Sequence, residues 1–541
     1  MNERHQVAIA GMGLAALTTA ARLTELGITE IALYANGFGG TPYIAAINFV
    51  LPDNPYGDTP EQYCEDMIHA GYEIGNRELV QDMARHTVEG YELLRRWGVT
   101  FAHNADGSIK LRHVSGHTYP RSLCQTTELI GEEIMKVMLP KLEAAGVKIY
   151  RNCQVVDLLT EQGAVAGMTV REQGKLRQVY APVVVAAWGG AGNLLGKSTY
   201  PGDIQGNTLG MAKKAGAEMV DMEFMEFEPL VILDPPGAAG EPSPTAMLGE
   251  GGYLRNAEGE RFLLRVRPQG EAGASKSLIN REAWKEVQAG KGSPHGGVYL
   301  DLRHVDRAVL KSYPWFFDRL MHSGCDPNEQ QLEIGPMVHS FSGGIQVNLD
   351  YASNVPGLYA VGEACGGIHG ACRCAGNAGS QAALSGMLCA EGIARNGVPE
   401  KAPQEQPVTY REDLAARERL LPKVREIGAG ALGIYRSGKE LAAAGEALDA
   451  LLQSGELRAD SFTEQSALSI RMILQAALNR RESRGTHNRL DYPEMDPALS
   501  LIHISLRKSM KLYLHRWAVV DKNFKEEPTC LRRFLPCFLR C

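Results

Sequence analysis

An apolar run, Val7–Ala10, passes directly into Gly11-Met12-Gly13-Leu14-Ala15-Ala16 and then into an Ala/Leu-rich segment that ends near Gly27. Strand, glycine turn and helix in that order aim a helix N-terminus at whatever lies beyond the strand, a geometry suited to a pyrophosphate. A GxGxxA motif alone is a weak signal, because glycine turns are common. No acid stands at the end of the next strand, where Tyr34-Ala35-Asn36 occur, which weakens a plain NAD reading. The motif has company, however. Late in the chain Gly357–Asn377 reads GLYAVGEACGGIHGACRCAGN, glycine-dense enough to bring backbone close to a bulky ligand, with Glu363, His369 and Arg373 on one frame. A third cluster, Trp188-Gly189-Gly190-Ala191-Gly192, follows the apolar run Val183–Ala187. Together these segments predict a dinucleotide cofactor held by both ends of a long domain.

At 541 residues the chain exceeds what one core serves, so two or three domains are expected, one inserted in another. A net charge of −7 with no basic stripe argues against nucleic acid as a partner and leaves small-molecule chemistry as the expectation. The N-terminus lacks the zones of a signal peptide and no apolar run reaches bilayer length. The expected location is cytoplasmic, with any membrane attachment peripheral and through a partner. The 11 cysteines are scattered, which suits reduced thiols. Cys365, Cys372 and Cys374 cluster at a spacing that fits neither a zinc knuckle nor an iron–sulfur run, and no metal is expected.

Residues 1–228 read as alternating strands (Val7–Ala10, Ile31–Tyr34, Val147–Tyr150, Val183–Ala187) and helices (Gln62–Tyr72, Glu78–Trp97, Gly131–Ala145). That alternation implies a parallel sheet with helices on its faces. Residues 229–335 change to short elements joined by Gly/Pro-rich connections and read as an inserted lobe; sheet signals resume over 336–396, at Gly344–Val347 and Leu358–Val361. A linker follows at 397–408, then a helical domain over 409–497 with helices expected at Thr409–Glu426 and Ser466–Arg481. Residues 498–541 break with that logic. They turn basic, with a Ser-Leu-Ile-His-Ile segment resembling translated sequencing-adaptor read-through, and read as an anomalous, artefactual tail without a function.

The order of motifs resembles the flavoprotein subunit family of fumarate reductase, succinate dehydrogenase and L-aspartate oxidase over about residues 5–497. Beyond the glycine segments, the match includes Ser115-Gly116-His117-Thr118-Tyr119-Pro120-Arg121, Gly249–Leu254, His339 with Gly343-Gly344, His369-Gly370-Ala371, and Arg481-Glu482-Ser483-Arg484-Gly485. The resemblance implies an α/β architecture: a Rossmann-like FAD-binding domain in two parts, an inserted α+β capping domain and a helical C-terminal domain. It implies that Gly11, Gly13 and Ala16 receive the FAD pyrophosphate and that Glu363 binds a ribose or ribityl hydroxyl. Gly39-Gly40-Thr41 match the flavin loop, and Gly189, Gly190, Gly376 and Asn377 complete the cofactor contacts. Some relatives attach FAD through a histidine; Pro42 stands at that position here, so FAD is expected to be non-covalent.

Within the same resemblance, His339 and Arg373 match the pair that holds one carboxylate of a C4 dicarboxylate. An arginine fork grips a carboxylate bidentately and a histidine adds a hydrogen bond. Other family positions differ. Glu228 and Leu230 replace a histidine and a threonine, Lys276 replaces the arginine that transfers the proton, and Thr245 and Leu248 replace a relaying glutamate and arginine. Glu228 repels a second carboxylate. Lys276 can act as acid or base where burial and a cationic neighbour lower its pKa. The expectation is an FAD-dependent oxidoreductase that passes hydride between flavin and a small carboxylate-containing substrate, with a cationic or neutral polar group facing Glu228. Two alternatives remain: L-aspartate oxidase or fumarate reductase in the strict sense, and an electron-transfer subunit serving a separate iron–sulfur or quinone-linked partner. His117 and Arg121 read either as a cofactor-lobe contact or as a buried structural pair.

Overall fold

The structure is a computed structural model. It describes residues 3–499 apart from 115, 126–128 and 400–403, so Ser115 and almost all of the tail lie outside the described residues. Its centre is a five-stranded, wholly parallel sheet in the order Leu358–Ala360, Val183–Ala186, Val7–Ala10, Ile31–Ala35, Lys148–Arg151. The middle strands read VVVA, VAIA and IALYA and are buried at every residue, as befits strands covered on both faces. The chain reaches this sheet from both ends. The helix Leu14–Glu25 leaves the first strand and the helix Asn377–Asn396 leaves the late glycine segment. The two pack so closely that a Cβ on Gly386 would meet Thr18 Oγ1 and the Ala15 carbonyl.

Three long strands that the alternation does not announce form a second layer. Cys153–Glu161, Ala164–Glu172 and Lys175–Tyr180 make an antiparallel meander, with Glu3–Arg4 parallel on its edge. Its turns, Gln162-Gly163 and Gln173-Gly174, carry positive φ at both central residues, the twist that joins adjacent antiparallel strands. The expected helix Glu78–Trp97 is two helices, Arg77–Arg85 and Thr87–Arg96, broken at His86, whose Nδ1 lies 2.8 Å from the Asp82 carbonyl oxygen.

The inserted lobe is built on an antiparallel sheet, Met225–Asp234, Leu332–Phe341, Val298–Asp301, Tyr253–Arg255. Its own core gathers Leu230, Ile232, Phe262, Leu300, Phe316 and Ile334. The two long strands run straight through the boundaries expected at 228/229 and 335/336, so a continuous ribbon joins lobe to body. Pairing slips between Glu228 and Val231, where Pro229 has no N–H to give the ladder. C-terminal helices Leu414–Ala431, Gly438–Ser454 and Ser461–Asn479 pack together. The last of them presses on Asn207–Lys214, where a Cβ on Gly210 would strike the Gln465 carbonyl.

Because Gly386 sits where the two cofactor-side helices touch, Gly386→Val overpacks that contact. Denaturant unfolding should show a loss of about 1–3 kcal/mol, with weaker retention of the dinucleotide.

Candidate active site

A single cavity of about 1590 Å³ runs from the carboxyl ends of the parallel strands to the base of the inserted lobe. Its strand-end wall is a glycine trough. Gly11 has φ +137° and lies so close to the Ala187 carbonyl that no Cβ fits. Gly13 caps the helix Leu14–Glu25 without a side-chain acceptor, which leaves a helix N-terminus facing the cavity. Thr41 reaches across from the next loop, and its Oγ1 accepts the Leu14 N–H at 2.8 Å. Gly39, at φ +60°, donates its N–H to Asp203 at 3.0 Å. Gly40, Gly189 and Gly376 line the same trough, and the Trp188 Nε1 donor there is buried without a partner. A glycine cradle, a helix N-terminus and an orphaned donor fit a dinucleotide.

Three expected cofactor residues stand behind this wall rather than on it. Ala16 is fully buried in the helix and absent from the lining; its smallness serves helix–strand packing. Gly190 makes room for Glu363, whose carboxyl group would lie 2.6 Å from a Cβ there. Asn377 is buried, its Oδ1 accepting from Tyr63 at 2.8 Å and Asn48 at 2.5 Å. Glu363 itself lines the cavity, with one oxygen accepting the Phe341 N–H at 2.7 Å. Burial lifts its pKa to about 7 against the opposing hydrogen bonds from Phe341 and Tyr200.

At the lobe end the structure brings together Glu228, Lys276, His339 and Arg373, which come from four separate segments. The helix Lys276–Gln288 begins at Lys276, capped by the Ser275 side chain, and this points the lysine back to the strand Met225–Asp234. Lys276 Nζ lies 2.7 Å from Glu228 and 3.2 Å from Glu226. Arg373 donates to Glu226 at 2.8 Å, to Ser340 Oγ at 3.4 Å and to the Cys374 carbonyl at 3.2 Å. Glu226 therefore bridges both cations. Burial pushes its carboxyl pKa up, but Arg373 and Lys276 outweigh that and hold it well below the usual range.

The two nitrogenous partners differ in charge. Burial pulls Lys276 down, yet Glu226 and Glu228 prevail and raise it, so it rests as an ammonium rather than in the lowered state that base chemistry needs. Burial first, and Lys276 next, push His339 well below its ordinary value, so its ring is neutral; its Nδ1 is 2.7 Å from the Thr199 hydroxyl. His369 also lines the cavity and is neutral, driven to about 3 by burial, with Nε2 2.7 Å from Gln381 Oε1. Thr245 and Leu248 line the wall, whereas Leu230 belongs to the lobe core.

The matched motif at 481–485 is structural. Arg480, Glu482 and Arg484 are buried, Arg484 donates to the Tyr72 carbonyl at 2.9 Å, and the Thr486 N–H donates to the Ala371 carbonyl at 2.9 Å. Arg121 is buried too, with its guanidinium on Asp58 and Asp66, while His117 lines the cavity and hydrogen-bonds Arg121 and the Ala375 carbonyl. Sequence reasoning passed over Glu226, Thr199 and Tyr200. The one available signal was the repeated acid of Glu226-Phe227-Glu228, whose two-residue spacing puts both carboxylates on one strand face.

Fold and cavity define a two-part dinucleotide-binding scaffold with a charged pocket under an inserted lobe. Residues 6–378 match the family model described as FAD binding domain, and residues 423–529 match the fumarate reductase flavoprotein C-terminal model. L-aspartate oxidase of Streptomyces coelicolor is 30% identical, over 93% of this chain and 91% of the relative. The CoM/CoB fumarate reductase chain of Methanothermobacter marburgensis is 27% identical, over 91% and 95%. Among solved structures, Mycobacterium smegmatis Sdh1 in complex with UQ1 superposes with a TM-score of 0.81 at 26% identity, covering 93% and 92% of the two chains. A variant of the quinol fumarate reductase FrdA of E. coli shares the fold, with a TM-score of 0.81 at 24% identity over 93% and 94%. The chain belongs to the family of FAD-dependent oxidoreductases that contains the fumarate reductase, succinate dehydrogenase and L-aspartate oxidase flavoproteins, and FAD is its cofactor.

Glu363 gives a pH test of this geometry. Its folded pKa is raised from 4.5 to about 7, so the folded state binds a proton more tightly than the unfolded chain. The stability it contributes is full below about pH 4.5 and is lost as pH rises through about 7. Urea unfolding of FAD-free protein across that window should show this slope, and Glu363→Gln should flatten it.

Proposed function

We propose that the chain transfers hydride between flavin and a small carboxylate-bearing substrate gripped by Arg373 and His339, with Lys276 as the proton-transfer group. The observation that carries this reading is the convergence of those three residues at one end of a cavity whose other end is the glycine trough. FAD supplies the two-electron chemistry when bound. Arg373 is held above its ordinary pKa by Glu226 despite the opposing effect of burial, so its charge is permanent. Its guanidinium has five N–H donors, enough to serve Glu226, Ser340 and Cys374 and still meet an incoming carboxylate. Neutral His339, oriented by Thr199, adds a hydrogen bond without adding charge. Lys276 has a proton to donate at rest and must lose it before it can accept one.

On this reading FAD is held non-covalently, because Pro42 offers no nucleophile at the expected attachment position. Among the described residues no cluster of His, Cys, Asp and Glu has the form of a metal site, and no helix is long and apolar enough to cross a membrane. The electron acceptor would then be a separate redox protein or a quinone-linked partner. Similarity to Sdh1 in complex with UQ1 and to quinol-fumarate reductase with menaquinol supports that assignment. Such a partner would also bring the chain peripherally to a membrane.

Anaerobic titration of the FAD-loaded protein with a panel of carboxylates and amino acids, read by flavin absorbance, tests the proposal. A productive substrate should bleach the flavin. Arg373→Ala should weaken carboxylate binding by about 100-fold, the loss of two charge-assisted hydrogen bonds, with FAD content unchanged. A flavin electron carrier with no substrate site of its own would show no such loss and would react with its redox partner as before.

A further inference from the structure

The pocket's charge count points beyond a generic carboxylate site. Two cations, Arg373 and Lys276, face the substrate end of the cavity, yet each is already matched. Glu226 lies 2.8 Å from Arg373 and 3.2 Å from Lys276; Glu228 lies 2.7 Å from Lys276. Both acids are buried, at 2% and 5% exposure. His339 is neutral, so it contributes no third positive charge. One substrate carboxylate on Arg373 already tips the balance of these four side chains negative, and a second would meet Glu228 on the cavity wall, with Arg373 and Lys276 already matched.

Glu228 also states what the second substrate group must offer. One of its oxygens pairs with Lys276, while the other, Oε1, is buried without a hydrogen-bond partner on the wall of the same cavity. A carboxylate oxygen accepts and cannot donate, and a buried acceptor left unpaired is costly. The group that completes it must therefore be a donor.

We infer that Glu226 and Glu228 neutralise the site from within, so that it selects a small monocarboxylate whose second polar group donates a hydrogen bond to Glu228, over a dicarboxylate. This rests on Arg373 and His339 as the carboxylate anchor. Glu228 sets specificity by contact. Glu226 sets it by occupying Arg373 and Lys276.

Succinate and succinamate test this cleanly, because they match in length and shape and differ by one carboxylate turned into an amide. Equilibrium titration of the oxidised, FAD-loaded protein, followed by the shift in flavin absorbance, gives both dissociation constants without turnover. Succinamate should bind at least about tenfold more tightly than succinate. Glu228→Gln, which keeps the shape and removes the charge, should shrink that ratio about tenfold; Glu226→Gln should move it the same way and serves where the first variant does not retain FAD. Equal or tighter binding of succinate by the unsubstituted protein overturns the inference while leaving the carboxylate anchor intact. So does a ratio unchanged in FAD-retaining Glu228→Gln. If neither ligand perturbs the flavin, the anchor itself is wrong and the inference falls with it.

Discussion

A buried ion network ties the parts of the active site to one another. Arg480 binds Glu223 at 2.5 Å and Glu482 at 2.8 Å, and Arg484 binds the other oxygen of Glu482 at 2.8 Å, with every one of these side chains at 0–1% exposure. Removing one member would leave an unpaired charge in the interior, a change that typically costs about 3–5 kcal/mol. The network's position matters more than its strength. Glu223 stands just before the strand that carries Glu226 and Glu228, and Arg480 closes the last C-terminal helix. From the same turn, Gly485, at φ +57°, and Thr486 press on Ala371, two residues before Arg373. The helical domain thus fixes the anion-bearing strand and the arginine loop against each other, although it contributes nothing to the cavity lining.

The parallel sheet was legible because its three middle strands are buried on both faces and read as unbroken apolar runs. The antiparallel meander was not. Its strands interleave Gln, Thr, Arg and Glu with the apolar residues on both faces, so the run never looks wholly apolar. Its turns use Gln-Gly in place of the more familiar Asn-Gly. The break at His86 was hidden for a different reason. Helical periodicity continues across it, and the contact of the His86 ring with the Asp82 carbonyl at the break is one that periodicity does not register.

For the site, residue types at matched positions found the walls of the cavity but not the forces between them. Arg373, His339, Lys276 and Glu228 were legible from motif order, and they line one cavity. Glu226 was not, since its importance lies in touching Arg373 and Lys276, residues 147 and 50 positions away. Ala16, Gly190 and Asn377 show the converse. Their types suit a cofactor loop, yet Ala16 serves helix–strand packing, Gly190 makes room for Glu363, and Asn377 bonds Tyr63 and Asn48 behind the wall.

Lys276 shows how one such contact reverses a chemical expectation. Burial favours the neutral amine, and burial with a cationic neighbour was the condition under which the sequence allowed Lys276 a lowered pKa. Two carboxylates within 3.2 Å outweigh the burial, and the lysine stays charged. The same pairing consumes the positive charge that a dicarboxylate needs. On the proposed reading, acid strength at Lys276 and selectivity at the pocket are set by one pair of glutamates. A change to either acid should shift both properties together, because the ion pairs that hold the proton on the lysine are the ones that cancel its charge toward the substrate.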